Sequence, residues 1–169
     1  MGLRMSDNAS AADAANTLNM DLPSGRVVIE MFPDIAPKVV ERIRTLANEG
    51  FYDGTPFHRV IEGFMAQGGD PTGTGTGGSK LPNLPAEFTT KRKFLRGTCG
   101  MARTGDPNSA NSQFFIMFAP ASHLDGQYTI WGQVVSGMEH VDALKRGASG
   151  SGSVAQPDHI VKMRTASAA

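Results

Sequence analysis

The chain has a single cysteine, a single tryptophan, no excess of either charge and no long apolar run. One cysteine, Cys99, excludes an internal disulfide and fits a reducing compartment. Its setting, Gly97-Thr98-Cys99-Gly100-Met101, reads as entry into a buried strand, whereas a reactive thiol needs an accessible, electropositive surround. Sixteen Lys and Arg balance sixteen Asp and Glu, so the one-signed field that nucleic-acid binding rests on is missing. The basic cluster Lys91-Arg92-Lys93, with Arg96 nearby, is short and reads as a solvated loop. No stretch approaches the ~18 apolar residues of a membrane span, and Met1-Gly2-Leu3-Arg4-Met5-Ser6 has no apolar run behind its one basic residue. These absences lead us to expect a cytoplasmic protein that binds neither membrane nor nucleic acid. The even charge balance and single domain lead us to expect a monomer.

What is present is a globular mixture. Of 169 residues, 40% are apolar and 19% charged, and a fold of about 150 residues buries roughly two-thirds of its unfolded surface. Residues 1–15 lack periodicity and read as a frayed tail, 16–164 as one domain and 165–169 as a second tail. Around Pro23-Ser24-Gly25, the alternating runs Thr17–Leu22 and Arg26–Phe32 predict a hairpin. Val39, Val40, Ile43, Leu46 and Ala47 recur at helical spacing between Pro37 and Gly50. Strands are expected at 57–61, 64–67, 114–118, 128–135 and 159–163, with a long Gly/Thr/Pro loop from Gly68 to Leu84. Ser136-Gly137-Met138-Glu139 has the form of a capping box, predicting a helix that runs through Leu144 and stops at Gly147. A Gly/Ser linker follows at 147–153. Many strands, two helices and no βαβ alternation predict a mainly β fold, an antiparallel barrel capped by helices.

Three other constellations find little support, although a Ser-His-Asp triad need not be contiguous in sequence. In Gly73-Thr74-Gly75-Thr76-Gly77-Gly78-Ser79-Lys80 the order Ser then Lys is wrong for a phosphate-binding loop. Pro82 and Pro85 also stand where its helix would start. His58, His123, His140 and His159 have no paired metal spacing. No Gly-x-Ser-x-Gly elbow is present to support a hydrolase.

Two segments remain. One runs Phe57-His58-Arg59-Val60-Ile61-Glu62-Gly63-Phe64-Met65-Ala66-Gln67-Gly68-Gly69-Asp70. The other comprises Gly100-Met101-Ala102-Arg103 and Asn111-Ser112-Gln113-Phe114-Phe115-Ile116. Strand alternation sets Arg59 on a face with Phe57 and Ile61, Met65 with Gln67, and Gln113 with Phe115. An arginine among apolar groups demands a partner. Spacing alone favours a plain ion pair with a bidentate carboxylate.

Together these segments resemble the signature of the cyclophilin family. The resemblance spans about Asn16 to Met163 and includes Phe51-Tyr52-Asp53-Gly54 and Leu124-Asp125-Gly126. It implies an eight-stranded antiparallel closed β-barrel capped by two α-helices, an active groove on its outer face, and no metal or organic cofactor. It implies peptidyl-prolyl cis-trans isomerase activity on proline-containing peptides and folding proteins. By position, Arg59 matches the catalytic arginine and Gln67 the polar group that orients it. Phe64, Met65, Phe115 and Leu124 match the proline pocket, and Ala102, Arg103 and Gln113 the peptide contacts. His123 stands where many members have Trp, which implies reduced affinity for the cyclic peptide cyclosporin. Tyr128 stands where many have His. Two other readings stay open: a module that holds Pro-containing segments without turnover, and a hollow barrel enclosing a hydrophobic ligand.

Overall fold

The computed structural model describes residues 13–168; of the stretch expected to fray, 1–12 lie outside the described residues. Eight strands form one sheet: β1 (Thr17–Leu22), β2 (Gly25–Met31), β3 (Arg59–Ile61), β4 (Met65–Gly68), β5 (Thr98–Met101), β6 (Phe114–Met117), β7 (Ile130–Ser136) and β8 (Lys162–Thr165). Their order is β3-β4-β6-β5-β7-β2-β1-β8, and every pairing is antiparallel. Helix α1 (Pro37–Asn48) lies against β8 and the short α2 (Met138–Asp142) against β2.

The period-2 alternation of the strands divides the apolar residues between two faces. Ala66, Cys99, Met101, Phe114, Ile116 and Trp131 join the interior, with the buried stripe of α1. Met65, Phe115, Met117 and Ile130 join a second cluster on the opposite face. The interior is filled by large side chains, among them Trp131, Tyr52, Phe57 and Phe114, which disposes of the hollow-barrel reading.

The expected closed barrel is corrected. The sheet curls, but its ladder stops at β3 and β8, which do not pair with each other. With only three residues, β3 is too short to complete the circle, and Gly63 at φ +73° turns the chain straight after it. The free edges are satisfied by other groups, as buried backbone requires. Val60 N–H donates to Gly152 O at 2.8 Å and Gly147 N–H to Val60 O at 2.8 Å. On β8, Met163 N–H donates to Asp53 Oδ1 and Thr165 N–H to Asn48 Oδ1, both at 3.0 Å.

Several element boundaries also move. Pro37 opens α1 as expected, but its first N–H groups are capped from far along the chain. The Glu87 carboxylate accepts from Lys38 N–H at 3.2 Å and Val39 N–H at 3.0 Å. The expected Ser136 cap does not form, because Ser136 is committed to β7 opposite Val28. Gly137, at φ +81°, stands at the cap position with no side-chain bond, and α2 ends at Asp142 rather than running through Leu144. β7 begins at Ile130 rather than Tyr128, and β3 at Arg59 rather than Phe57. His159 makes only a bridge to Pro56, leaving the last strand to Lys162–Thr165.

Candidate active site

The groove lies on the outer face, where β3, β4 and β6 run side by side. Arg59 is exposed on β3 and pairs across the ladder with Gln67 of β4, which pairs with Phe115 of β6. This register brings Arg59, Gln67 and Phe115 into one row. Phe57 does not share that face: it precedes the strand and is buried in the interior. His58 also stays out of the groove, and burial, more than any charge near it, pushes its pKa below the ordinary imidazole value.

Arg59, Phe64, Met65, Gln67, Ala102, Arg103, Phe115, His123, Leu124 and Tyr128 together line a cleft of about 330 Å³. Gln113 lies just beyond it, in an adjoining cavity of about 640 Å³ that shares Gln67, Ala102 and Arg103. Met65, Phe115 and Leu124 are buried at its floor, while Phe64 is half-buried at its edge. Phe115 is clamped by Phe94, stacked at 5.6 Å, and by Tyr128, edge-on at 5.7 Å. The exposed ring of His123 stacks on Phe64 at 5.8 Å. The wall is therefore pre-formed by aromatic packing.

Arg59 has no carboxylate partner among the described residues, so the plain ion-pair account does not describe it. Its Nε donates to the carbonyl of Ser151 at 3.1 Å and its Nη1 to Gln67 Oε1 at 3.3 Å. Gln67 Nε2 then donates to Gln113 Oε1 at 3.0 Å. Gln113 Nε2 donates to the carbonyls of Gly75 at 3.0 Å and Gly77 at 2.9 Å. Those carbonyls can only accept, which fixes the orientation of both amides back to Arg59.

The glycine-rich loop that anchors this relay is itself tied to one buried carboxylate. Asp70 Oδ1 accepts from Thr72 N–H and hydroxyl at 2.8 Å, and Oδ2 from Gly75 N–H at 2.6 Å and Gly77 N–H at 3.1 Å. Burial alone would raise the Asp70 pKa, but these donors together outweigh it and hold the carboxyl below its ordinary value. Neither this hub nor the Ser151 carbonyl is among the residues expected from sequence. Asp70 closes the Gly-Gly-Asp of the first segment, a signal that was there to use. Ser151 acts through its backbone and leaves none.

Cys99 is fully buried in β5, where burial pushes its thiol pKa up. Among the described residues, no helix is long and apolar enough to cross a membrane, and no three His, Cys, Asp or Glu side chains gather as a metal site would require.

Residues 17–165 match the family model described as cyclophilin type peptidyl-prolyl cis-trans isomerase/CLD. A probable peptidyl-prolyl cis-trans isomerase of Brucella suis is 53% identical over 166 residues, covering 91% of this chain and 84% of its own. The isomerase CYP18-1 of Arabidopsis thaliana is 44% identical over 139 residues, covering 80% and 85%. A cyclophilin-type isomerase of Cryptosporidium parvum, solved in the presence of the dipeptide Ala-Pro, superposes with a TM-score of 0.82 at 31% identity, covering 88% of this chain and 98% of that one. A cyclophilin of Hirschia baltica gives 0.81 at 29% identity, covering 90% and 74%. Sequence and fold thus agree, and the chain belongs to the cyclophilin-type peptidyl-prolyl cis-trans isomerase family.

Proposed function

We propose that this chain accelerates rotation about X-Pro bonds by offering the Arg59 guanidinium to the prolyl nitrogen as its amide loses planarity. The observation that carries this reading is the company Arg59 keeps among the described residues: two neutral oxygens, no carboxylate, and an apolar slot beside it. A peptide bond resists rotation by about 18–20 kcal/mol because the nitrogen lone pair is conjugated with the carbonyl. Unaided X-Pro exchange therefore takes tens to hundreds of seconds. Half-way round, conjugation is lost and the nitrogen becomes a pyramidal acceptor. A fixed donor aimed there binds the twisted state better than either planar one, and that difference lowers the barrier. No bond breaks, so the reaction calls for no nucleophile.

In this reading Phe64, Met65, Phe115 and Leu124 grip the proline ring while the acyl side turns. Gln67 holds the Arg59 Nη1, so the donor is oriented before the peptide arrives. Ala102, Arg103 and Gln113 meet the flanking peptide, with His123 and Tyr128 as side walls. The imidazole of His123 covers less apolar area than an indole, which supports weak cyclosporin binding. The substrates are proline-containing peptides and folding chains. Exchange spectroscopy on a short Ala-Pro peptide tests the proposal: the protein is expected to speed interconversion at catalytic concentration. Saturable binding with no acceleration would make the chain a holding module instead.

A further inference from the structure

The chain as a whole is neutral, yet the proline cleft is not. Among the described residues its two full charges, Arg59 and Arg103, are both positive, and no carboxylate lines it. Neither guanidinium forms an ion pair among the described residues. Arg103 is held rigidly on one side only. Its Nε donates to Gln127 O at 3.0 Å, and its Nη1 to Thr104 O at 2.9 Å and Gly105 O at 3.4 Å. Its guanidinium carbon sits 4.7 Å from the Tyr128 ring centroid and 5.9 Å from that of Phe88. Carbonyls and rings orient the group without neutralising it, and no described residue accepts from Nη2. The one carboxylate among the described residues lining the adjoining cavity, Asp106, accepts from Asn108 N–H at 2.9 Å and makes no ion pair with Arg103.

From this we infer that Arg103 makes the groove selective for X-Pro segments that carry a carboxylate side chain next to the proline. The inference rests on the isomerase reading above and adds a substrate class to it. A guanidinium fixed by its own backbone has little entropy left to lose on meeting a carboxylate, and its planar fork suits one. A partly exposed pair of this kind changes binding by up to about fivefold. Because the pair forms equally in the planar and twisted states, the preference belongs in KM rather than kcat.

The test uses the unaltered protein and peptides identical except for Glu, Gln or Lys immediately before or after the proline, followed by exchange spectroscopy. At low salt, kcat/KM is expected to be about threefold higher for Glu than for Gln, and about tenfold higher than for Lys, in at least one of the two positions. At about 0.5 M salt, where screening acts over a few ångströms, the ratios should shrink toward one. In Arg103→Gln the Glu-to-Gln ratio should fall most of the way to one, Arg59 being left in the cleft, whatever happens to the absolute rates, and in Arg103→Glu the order should reverse. Equal rates across the series, or a preference that survives Arg103→Gln undiminished, would overturn the assignment while leaving isomerase activity intact. Absence of acceleration with the Gln peptide would instead overturn the isomerase reading beneath it.

Discussion

The loop at 147–153 looks like a linker in the sequence, yet in the structure it braces Arg59, and Gly152→Ala is the perturbation that isolates this role. Gly152 sits at φ +75°, and a Cβ there would lie 2.5 Å from Ile61 Cγ1 and 3.2 Å from Arg59 Cγ. The left-handed backbone costs about 1–2 kcal/mol for a residue with a Cβ, and crowding adds about 1–3 kcal/mol. The loop relieves both by lifting off β3. Doing so stretches the 2.8 Å bond from Val60 N–H to Gly152 O and the 3.1 Å bond from Arg59 Nε to Ser151 O. A displacement of about 1 Å in a reacting group can cost ~100-fold in rate. We therefore expect kcat to fall about 10- to 100-fold with KM within about threefold, and Tm to fall by about 4–20 °C. Gly150→Ala is the control, since φ there is +91° but nothing lies within 4 Å of the added Cβ; it should lower Tm alone. In an Arg59→Ala background, Gly152→Ala should cost little further turnover. Wild-type kcat in Gly152→Ala would refute the bracing role of this loop.

Three more expectations follow from the relay behind Arg59. Asp70→Asn turns an amide NH2 toward N–H donors that now reach a carboxylate. It should cost on the order of 2–4 kcal/mol by chemical denaturation and lower kcat through the loosened Gly75–Gln113 anchor. Acid should destabilise the fold: His58 and Asp70 both have pKa values below their ordinary 6.5 and 3.8, so the unfolded chain binds more protons. Stability should be full above about pH 6.5, decline as His58 is forced to charge, and drop further as pH falls through the folded-state pKa of Asp70; an acid titration of Tm checks this. Turnover, by contrast, should be flat between about pH 6 and 9, because a guanidinium keeps its charge across that range. A steep histidine-like limb in a kcat profile would move the chemistry to His123.

How much of this was legible beforehand differs by element. Strand alternation sets Met65 beside Gln67 and Gln113 beside Phe115, and the long mixed motif picks out Arg59, but only the ladder register shows Arg59, Gln67 and Phe115 in one row. The closure of the barrel was not legible, since strand patterns do not say whether the first and last ladders meet; in this fold a three-residue β3 and polar caps from Asn48 and Asp53 leave them apart. The capping box at Ser136 failed because β7 claimed that residue first. The cap that α1 does have, Glu87, lies 48 residues beyond Val39 and carries no local signal. Ser151 is invisible for a different reason: its contribution is a carbonyl, which any residue would supply.

Arg59→Ala in a saturating X-Pro exchange assay removes the proposed donor and little else. Arg59 is exposed and contributes no core packing, so its loss should leave Tm nearly unchanged. We expect kcat to fall by about 100- to 1,000-fold, as when one preorganised donor is removed from a charge-stabilising site, while peptide binding stays within about threefold. A variant that keeps wild-type kcat, or that loses binding and turnover in equal measure, would contradict a guanidinium that acts on the twisted amide.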